Sequence, residues 1–298
     1  MHAHGPDSGR GALSAVERGD GLMSIFPTKI MLSTDGSEDA ELAATTAVGL
    51  AEITGSELHV LNVETAGEAR GVLDEHVRKI ENLGEAVARS HARVGDVAKE
   101  VVDLAEEVGA GLIVTGSRGR GRIKRLAMGS ISDAVVRHAH CPVMVVRWKP
   151  VVFPAKILLC TDGSEDAALA AQTATDLVER TGSELHVVHA GWALHRAYSG
   201  WPVAPFPPGV SQSELDRGAR KLLEAEVERM ERAGAEVSQA YMRSGRADEE
   251  ICVLAEELGA NLTVMGCRGQ SVVRRALMGS VSDAVVRHAH CPVLVARG

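Results

Sequence analysis

The chain repeats itself, and that repeat limits its possible folds more than any other feature. TDGSEDA at residues 34–40 recurs unchanged at 161–167, and TGSELHV at 54–60 recurs at 181–187, both displaced by 127 residues. MGSISDAVVRHAHCPVMVVR at 128–147 returns as MGSVSDAVVRHAHCPVLVAR at 278–297, with three differences in twenty and a displacement of 150. The second copy therefore carries 23 extra residues. VRKIENLG at 77–84 already matches VERMERAG at 227–234 at the larger displacement, so the insertion falls at about 191–213. It holds Trp192, Tyr198, Trp201 and Phe206, half of the eight aromatic residues in the chain, together with four prolines, a density that forbids a regular helix or central strand.

This divides the 298 residues into a tail at 1–24, expected to be disordered, a first domain at 25–149 and a second at 150–298. A short linker around Lys149–Pro154 keeps the two close. Within each copy, short apolar runs alternate with helical patterns. KIMLST (29–34) and KILLCT (156–161) read as buried strands ending in Asp-Gly-Ser turns. Ser37 and Ser164 then suit a helix N-cap, and Thr-Gly ends that helix. Continuing in this way gives five strands and four helices per copy. That alternation implies an α/β fold, a parallel sheet with helices on both faces. In such sheets ligands sit beyond the carboxyl ends of the strands.

Two features meet on that edge. Gly116-Ser-Arg-Gly119 is followed nine residues later by Gly129-Ser130, and Gly266-Cys-Arg-Gly269 is followed at the same spacing by Gly279-Ser280. Glycine lets backbone N–H groups close on an anion, and a helix opening at Gly-Ser presents unpaired N–H groups and the positive end of its dipole. Ser132 and Ser282 add hydroxyls, and Asp133 stands where a capping-box partner of Ser130 would. The alternative is that these glycines only end a strand and start a helix. Asp35 and Asp162 follow strand one, where a carboxylate would accept from ribose hydroxyls or a base amino group, or else serve the turn.

These motifs resemble the universal stress protein family in its tandem form, over about residues 27–147 and 154–297. The resemblance implies two Rossmann-like, adenine-nucleotide-binding domains, each a five-stranded parallel-core sheet with helices on both faces. It implies ATP, with Mg2+, as the ligand. Asp35 and Asp162 would contact the adenosine portion, Val63 and Ala190 would line the adenine pocket, and Ser33 and Cys160 would present backbone to the base. Gly116, Arg118, Gly119, Gly129, Ser130 and Ser132 would hold ribose and phosphates, as would Gly266, Arg268, Gly269, Gly279, Ser280 and Ser282. Cys267 in place of Ser117 is a departure. So is the thinning of basic residues after Gly269, where Gln270, Ser271, Val272 and Val273 replace the Arg120, Arg122, Lys124 and Arg125 run. If those basic residues draw phosphate, the first site is expected to bind more tightly; the alternative is that they form a solvated loop.

Other classes fall away. A net charge of −8 lacks the basic face of a nucleic-acid binder. No run of ~18 apolar residues suggests a membrane span, and five cysteines do not make a disulfide framework, so a cytoplasmic protein is expected. His138-Ala-His140-Cys141 and His288-Ala-His290-Cys291 carry metal-ligand types, but residues two apart on a helix do not share a face, and no metal site is expected. Cys267 is the candidate reactive thiol. Neither a Walker A loop nor a nucleophile elbow is present, so any ATP hydrolysis is expected to be slow. The leading reading is an ATP-binding stress-response regulator. A nucleotide-free dimerisation module, in which PVMVVR and PVLVAR pair with each other as a pseudo-dimer, and a weak ATPase or autophosphorylating protein stay open. A homodimer of the whole chain is expected.

Overall fold

The alternation read from the sequence is the one that the chain adopts. A computed structural model describes residues 25–64, 69–84, 87–119, 128–191, 212–269 and 278–297. The expected tail at 1–24, nearly all of the insertion and the two loops with contrasting charge lie outside them. The first half runs β1 (Lys29–Ser33), α1 (Glu38–Thr54), β2 (Glu57–Glu64), α2 (Ala69–Glu81), β3 (Val87–Val94), α3 (Val97–Val108), β4 (Ala110–Gly116), α4 (Ser130–His138) and β5 (Val143–Val146). The second runs β6 (Lys156–Cys160), α5 (Glu165–Thr181), β7 (Glu184–Gly191), α6 (Gln212–Arg232), β8 (Val237–Ser244), α7 (Ala247–Leu258), β9 (Leu262–Gly266), α8 (Ser280–His288) and β10 (Val293–Ala296).

Local chemistry sets the boundaries. Ser37 caps α1 by accepting from the Ala40 N–H, and Glu38, Asp39 and Glu41 sit in the first turn, where the dipole favours acids. Gly55 ends the helix in the left-handed region at φ 67°, which costs a glycine little. Ser164 and Gly182 repeat both devices on α5. The Ser130–Asp133 capping box expected from the sequence does not form. Gly129, with extended backbone, is the N-cap of α4 and makes no side-chain bond, so Ser130 is already helical and Asp133 lies one turn in.

All ten strands join one sheet in the order β3-β2-β1-β4-β5-β10-β9-β6-β7-β8. Every pairing is parallel except the central one, β5 with β10, which is antiparallel with Leu294 opposite Met144. The pairing expected of PVMVVR and PVLVAR is therefore present. Each face of the sheet carries one core that continues across both halves. Leu32, Leu50, Ile157 and Leu177 belong to the face covered by α1, α2, α5 and α6; Met31, Leu104, Leu158 and Leu254 belong to the other.

The seam is held by charge as well. Arg137 pairs with Asp133 at 2.9 Å and with Asp283 across the seam at 2.5 Å, while Arg287 pairs with Asp283 at 2.9 Å and with Asp133. Arg147, only 2% exposed, donates to the carbonyls of Val286 (3.2 Å) and Arg287 at the end of α8, and Arg297 donates to Val136 O at 2.9 Å in return. The lead-in segments cross over reciprocally. Ile25 N, before β1, donates to Asp176 of α5 at 2.6 Å, and Val151 N, before β6, donates to Thr46 Oγ1 of α1 at 2.9 Å.

Arg147→Ala leaves two helix-end carbonyls without their donor and should cost about 2 kcal/mol in urea unfolding; a loss below ~0.5 kcal/mol would mean that the seam does not depend on it. Burial alone would raise the Asp283 carboxyl, but the hydrogen bond and charge of Arg287 and the charge of Arg137 outweigh it and hold it below the ordinary value. A carboxyl depressed in the fold adds stability that is complete above its unfolded pKa and lost as pH falls through the folded one. Arg287→Ala should thus destabilise at pH 7, by an amount that shrinks as pH falls below the ordinary aspartate value of ~3.9, as measured by paired urea titrations.

Candidate functional site

Each half builds a cradle at the carboxyl edge of the sheet from the turn after its first strand, the loop after its fourth and the start of its fourth helix. In the first half, Thr34 N donates to Leu61 O at 2.9 Å, and Asn62 Nδ2 donates to Thr34 O at 2.8 Å, so β2 fixes where the turn leaves β1. Asp35 Oδ1 accepts from Ser37 N at 3.0 Å. The turn role weighed for Asp35 is therefore real, and it aims the other oxygen at the facing loop: a Cβ on Gly119 would come within 2.5 Å of Asp35 Oδ2.

A second carboxylate, which sequence reasoning missed, organises that loop. Asp39, in the first turn of α1 and nearly buried, accepts from Ser117 Oγ at 2.5 Å and from Arg118 Nε at 3.1 Å. Ser37 Oγ donates to Arg118 O at 3.1 Å. The loop is thus tied to the start of α1, and Gly116 is required because a Cβ there would lie 2.7 Å from the Asp39 backbone. Arg118 also lies over the indole of Trp148 at 5.3 Å. Gly129 N donates to Ser117 O at 2.8 Å, which sets the start of α4 against the loop. Ser132 Oγ donates inward to Gly116 O at 2.8 Å, so this buried hydroxyl braces the strand end. Ser130 is exposed at the helix start. Ser33 closes β1, and Val63 packs into the core on the α3 and α4 face.

The second half repeats the plan with altered parts. His189 takes the place of Asn62 and bonds Thr161 O through Nδ1 at 2.9 Å. Asp166 takes the place of Asp39. Cys267 brings no hydroxyl, and the carboxylate binds Arg268 through N at 3.0 Å, Nε at 2.8 Å and Nη2 at 3.0 Å. The Asp166 hydrogen bond raises the Arg268 guanidinium above its ordinary value. Ser282 Oγ donates to Cys267 O at 2.7 Å. A Cβ on Gly269 would come within 2.5 Å of Asp162 Oδ2. A cavity of about 710 Å³ opens here. All nine second-half positions singled out from the sequence, Cys160, Asp162, Ala190, Gly266, Arg268, Gly269, Gly279, Ser280 and Ser282, line it. Its wall also includes Glu214, Asp216 and Leu222 of α6, Arg243 of β8 and Ile251 of α7, which motif reading did not reach.

The expectation of a reactive Cys267 is overturned: the residue is fully buried, and burial pushes its thiol up. Burial likewise pushes Cys141 and Cys252 up to about 11. In the first His-x-His-Cys motif the histidines part company. His138 Nδ1 lies 2.8 Å from Ala134 O, and His140 faces Glu106 at 3.7 Å. Among the described residues, no group of three or more His, Cys, Asp or Glu side chains gathers as metal ligands, and no helix is long and apolar enough to cross a membrane.

Comparison with known proteins covers most of the chain. The model of the universal stress protein family matches twice, at residues 27–147 and 155–297. A universal stress protein of Mycobacterium tuberculosis is 30% identical over 302 residues, spanning 90% of this chain and 96% of its own length. A second from the same organism is 30% identical over 236 residues, 76% of each. The crystal structure of a universal stress protein from Archaeoglobus fulgidus superposes with a TM-score of 0.66 at 25% identity, covering 91% of this chain and 98% of that one.

Asp39→Asn removes the charge that holds the loop. Hydrogen exchange should accelerate at residues 117–119 with β4 unchanged, at a cost of about 1–3 kcal/mol. Unaltered exchange there would show that Asp39 does not organise the cradle.

Proposed function

This chain belongs to the universal stress protein family, and we propose that it is an adenine-nucleotide-binding stress-response protein that takes ATP and acts as a nucleotide-dependent regulator or association module. The observation that carries the reading is the duplicated cradle. In each half a helix with a glycine N-cap and no side-chain cap opens beside a glycine loop, across from a strand-one carboxylate. The unpaired N–H groups of such a helix start seat an anion, and the carboxylate opposite accepts from hydroxyl or amino donors, so the two ends suit a phosphorylated nucleoside.

The residues fit this ligand. The cavity in the second half has the volume usual for small-molecule sites, roughly 300–1,000 Å³, and Gly119 and Gly269 stand where a Cβ would press on the carboxylate that faces the ligand. ATP would supply a polyphosphate chain with Mg2+ bound mainly through its phosphates. Gly129 and Ser130, with Gly279 and Ser280, would hold the phosphates. Asp35 and Asp162 would orient the ribose or base. Arg118 and Arg268, bonded to Asp39 and Asp166, would shape the loop rather than reach outward.

Regulation would proceed by association or a change of shape. A homodimer of the whole chain would use surfaces other than β5 and β10, since both strands are interior to the sheet. The protein is proposed to work in the cytoplasm.

Isothermal titration of ATP should show binding that weakens at least ~10-fold in a chain carrying Asp35→Asn with Asp162→Asn, the loss of a charged hydrogen bond at each site. Absence of ATP binding to the unaltered protein, or undiminished binding to the variant, would sink the proposal.

A further inference from the structure

Asn62 and His189 hold the same place in the two copies, at the displacement of 127. Each braces the exit of its half's first strand. Asn62 Nδ2 donates to Thr34 O at 2.8 Å, and His189 bonds Thr161 O through Nδ1 at 2.9 Å. The copies differ in what the rest of the side chain does. Asn62 is wholly buried, and its Oδ1 has no hydrogen-bond partner among the described residues. His189 is half-buried and lines the cavity of the second half.

The bond to Thr161 fixes the chemistry of the ring. A carbonyl oxygen only accepts, so Nδ1 carries a proton and donates it. In the neutral imidazole this leaves Nε2 as an acceptor. Among the described residues Nε2 has no hydrogen-bond partner. It also borders open space. A Cβ on Gly191, another residue of the cavity wall, would sit 3.7 Å from Nε2 and, its chain neighbours apart, within 4 Å of no other described atom. Asp162 directly follows the braced carbonyl, so the Asp162 carboxylate and Nε2 are two acceptors at the adjacent ends of β6 and β7. The N–H groups that open α8 at Gly279 and Ser280 come from the β9 side instead. A phosphate suits those donors, and the acceptors suit the nucleoside, which carries hydroxyl and amino donors.

Given nucleotide binding at this cradle, we infer that His189 is a ligand contact of the second half alone: its Nε2 accepts a hydrogen bond from the nucleoside end of the ligand, from a ribose hydroxyl or the base amino group. One side chain then does two things. Nδ1 holds the turn that carries Asp162, and Nε2 adds an acceptor beside that carboxylate. Asn62 does only the first, because its side chain spends its donor on Thr34 O and has no exposed surface. The two halves therefore read the nucleoside with different side chains while sharing the same strand exit.

The test uses the full chain. Hydrogen exchange followed against ATP concentration at residues 112–119 and 262–269 reads the two cradles separately. His189→Asn keeps the brace, as Asn62 does in the first half, and takes Nε2 out of the cavity. Half-protection of 262–269 should need about fivefold more ATP in this variant, the worth of one hydrogen bond, with 112–119 unchanged. 2′-Deoxy-ATP and inosine triphosphate separate the two donors. The analogue that lacks the donor should bind the second cradle of the unaltered protein at least about fivefold more weakly than ATP, and His189→Asn should reduce that penalty by the same factor. The unaltered protein with 15N-labelled histidine rings gives a readout independent of any variant's folding: an Nε2 signal should move as ATP saturates the protein. An unchanged second-cradle titration in His189→Asn, penalties for both analogues that the variant leaves intact, or histidine signals that all stay in place overturns the contact and leaves nucleotide binding standing. Failure of the unaltered protein to bind ATP overturns the reading beneath it as well.

Discussion

The antiparallel pairing of β5 with β10 is the interaction on which the rest of this structure depends. Each half ends on a four-residue apolar strand that, alone, would be an open sheet edge with unpaired backbone groups. Joining the two edges converts both strands into interior ones and lets each helical layer continue past the seam. It also sets α4 beside α8, so that Asp133, Arg137, Asp283 and Arg287 form one alternating cluster in which each charge meets opposite charges from both halves. Arg147 can be buried only because the partner half supplies helix-end carbonyls for it.

Much of this was legible in the sequence, for reasons that differ by residue. Strand runs such as KIML and KILL are short, apolar and bounded by Asp-Gly turns, and they carry their own signal. The glycine spacing pointed to the right edge of the sheet, because backbone proximity needs glycine wherever it occurs. What was not legible depends on contacts between distant segments. Asp39 and Asp166 read as ordinary acids in the first turn of a helix; only the approach of the loop around residue 118 or 268 makes them its anchors. The Thr-Asp-Gly-Ser-Glu-Asp string, repeated with both acids kept, was the one available hint. Cys267 reads as a loop thiol beside basic residues, yet its side chain turns inward under α8. The misplaced cap at Ser130 has the simplest cause: one residue of backbone conformation separates an N-cap from a first helical position.

The two copies have drifted at the points where drift is compensated. Ser117 became Cys267, and Arg268 N now donates to the carboxylate that Ser117 serves in the first half. Asn62 became His189, and either nitrogen reaches the same carbonyl. Backbone geometry is preserved in each case while the chemistry of the surroundings changes. Duplication of this kind keeps the frame of both cradles while the residues around them diverge.

The crossing of the lead-in segments has a topological consequence. Ile25 reaches α5 before the chain has entered its own first strand, and Val151 returns to α1 before the chain enters its sixth. The peptide between residues 149 and 154 is therefore not the joint of the molecule. The β5–β10 pairing, the ion pairs of α4 with α8 and the Ile25 strap also join the halves, all outside that peptide. A gene encoding either half alone would produce a domain missing one of its own straps and a strand neighbour. The two halves share one sheet and the core on each of its faces, although the sequence writes them as two copies.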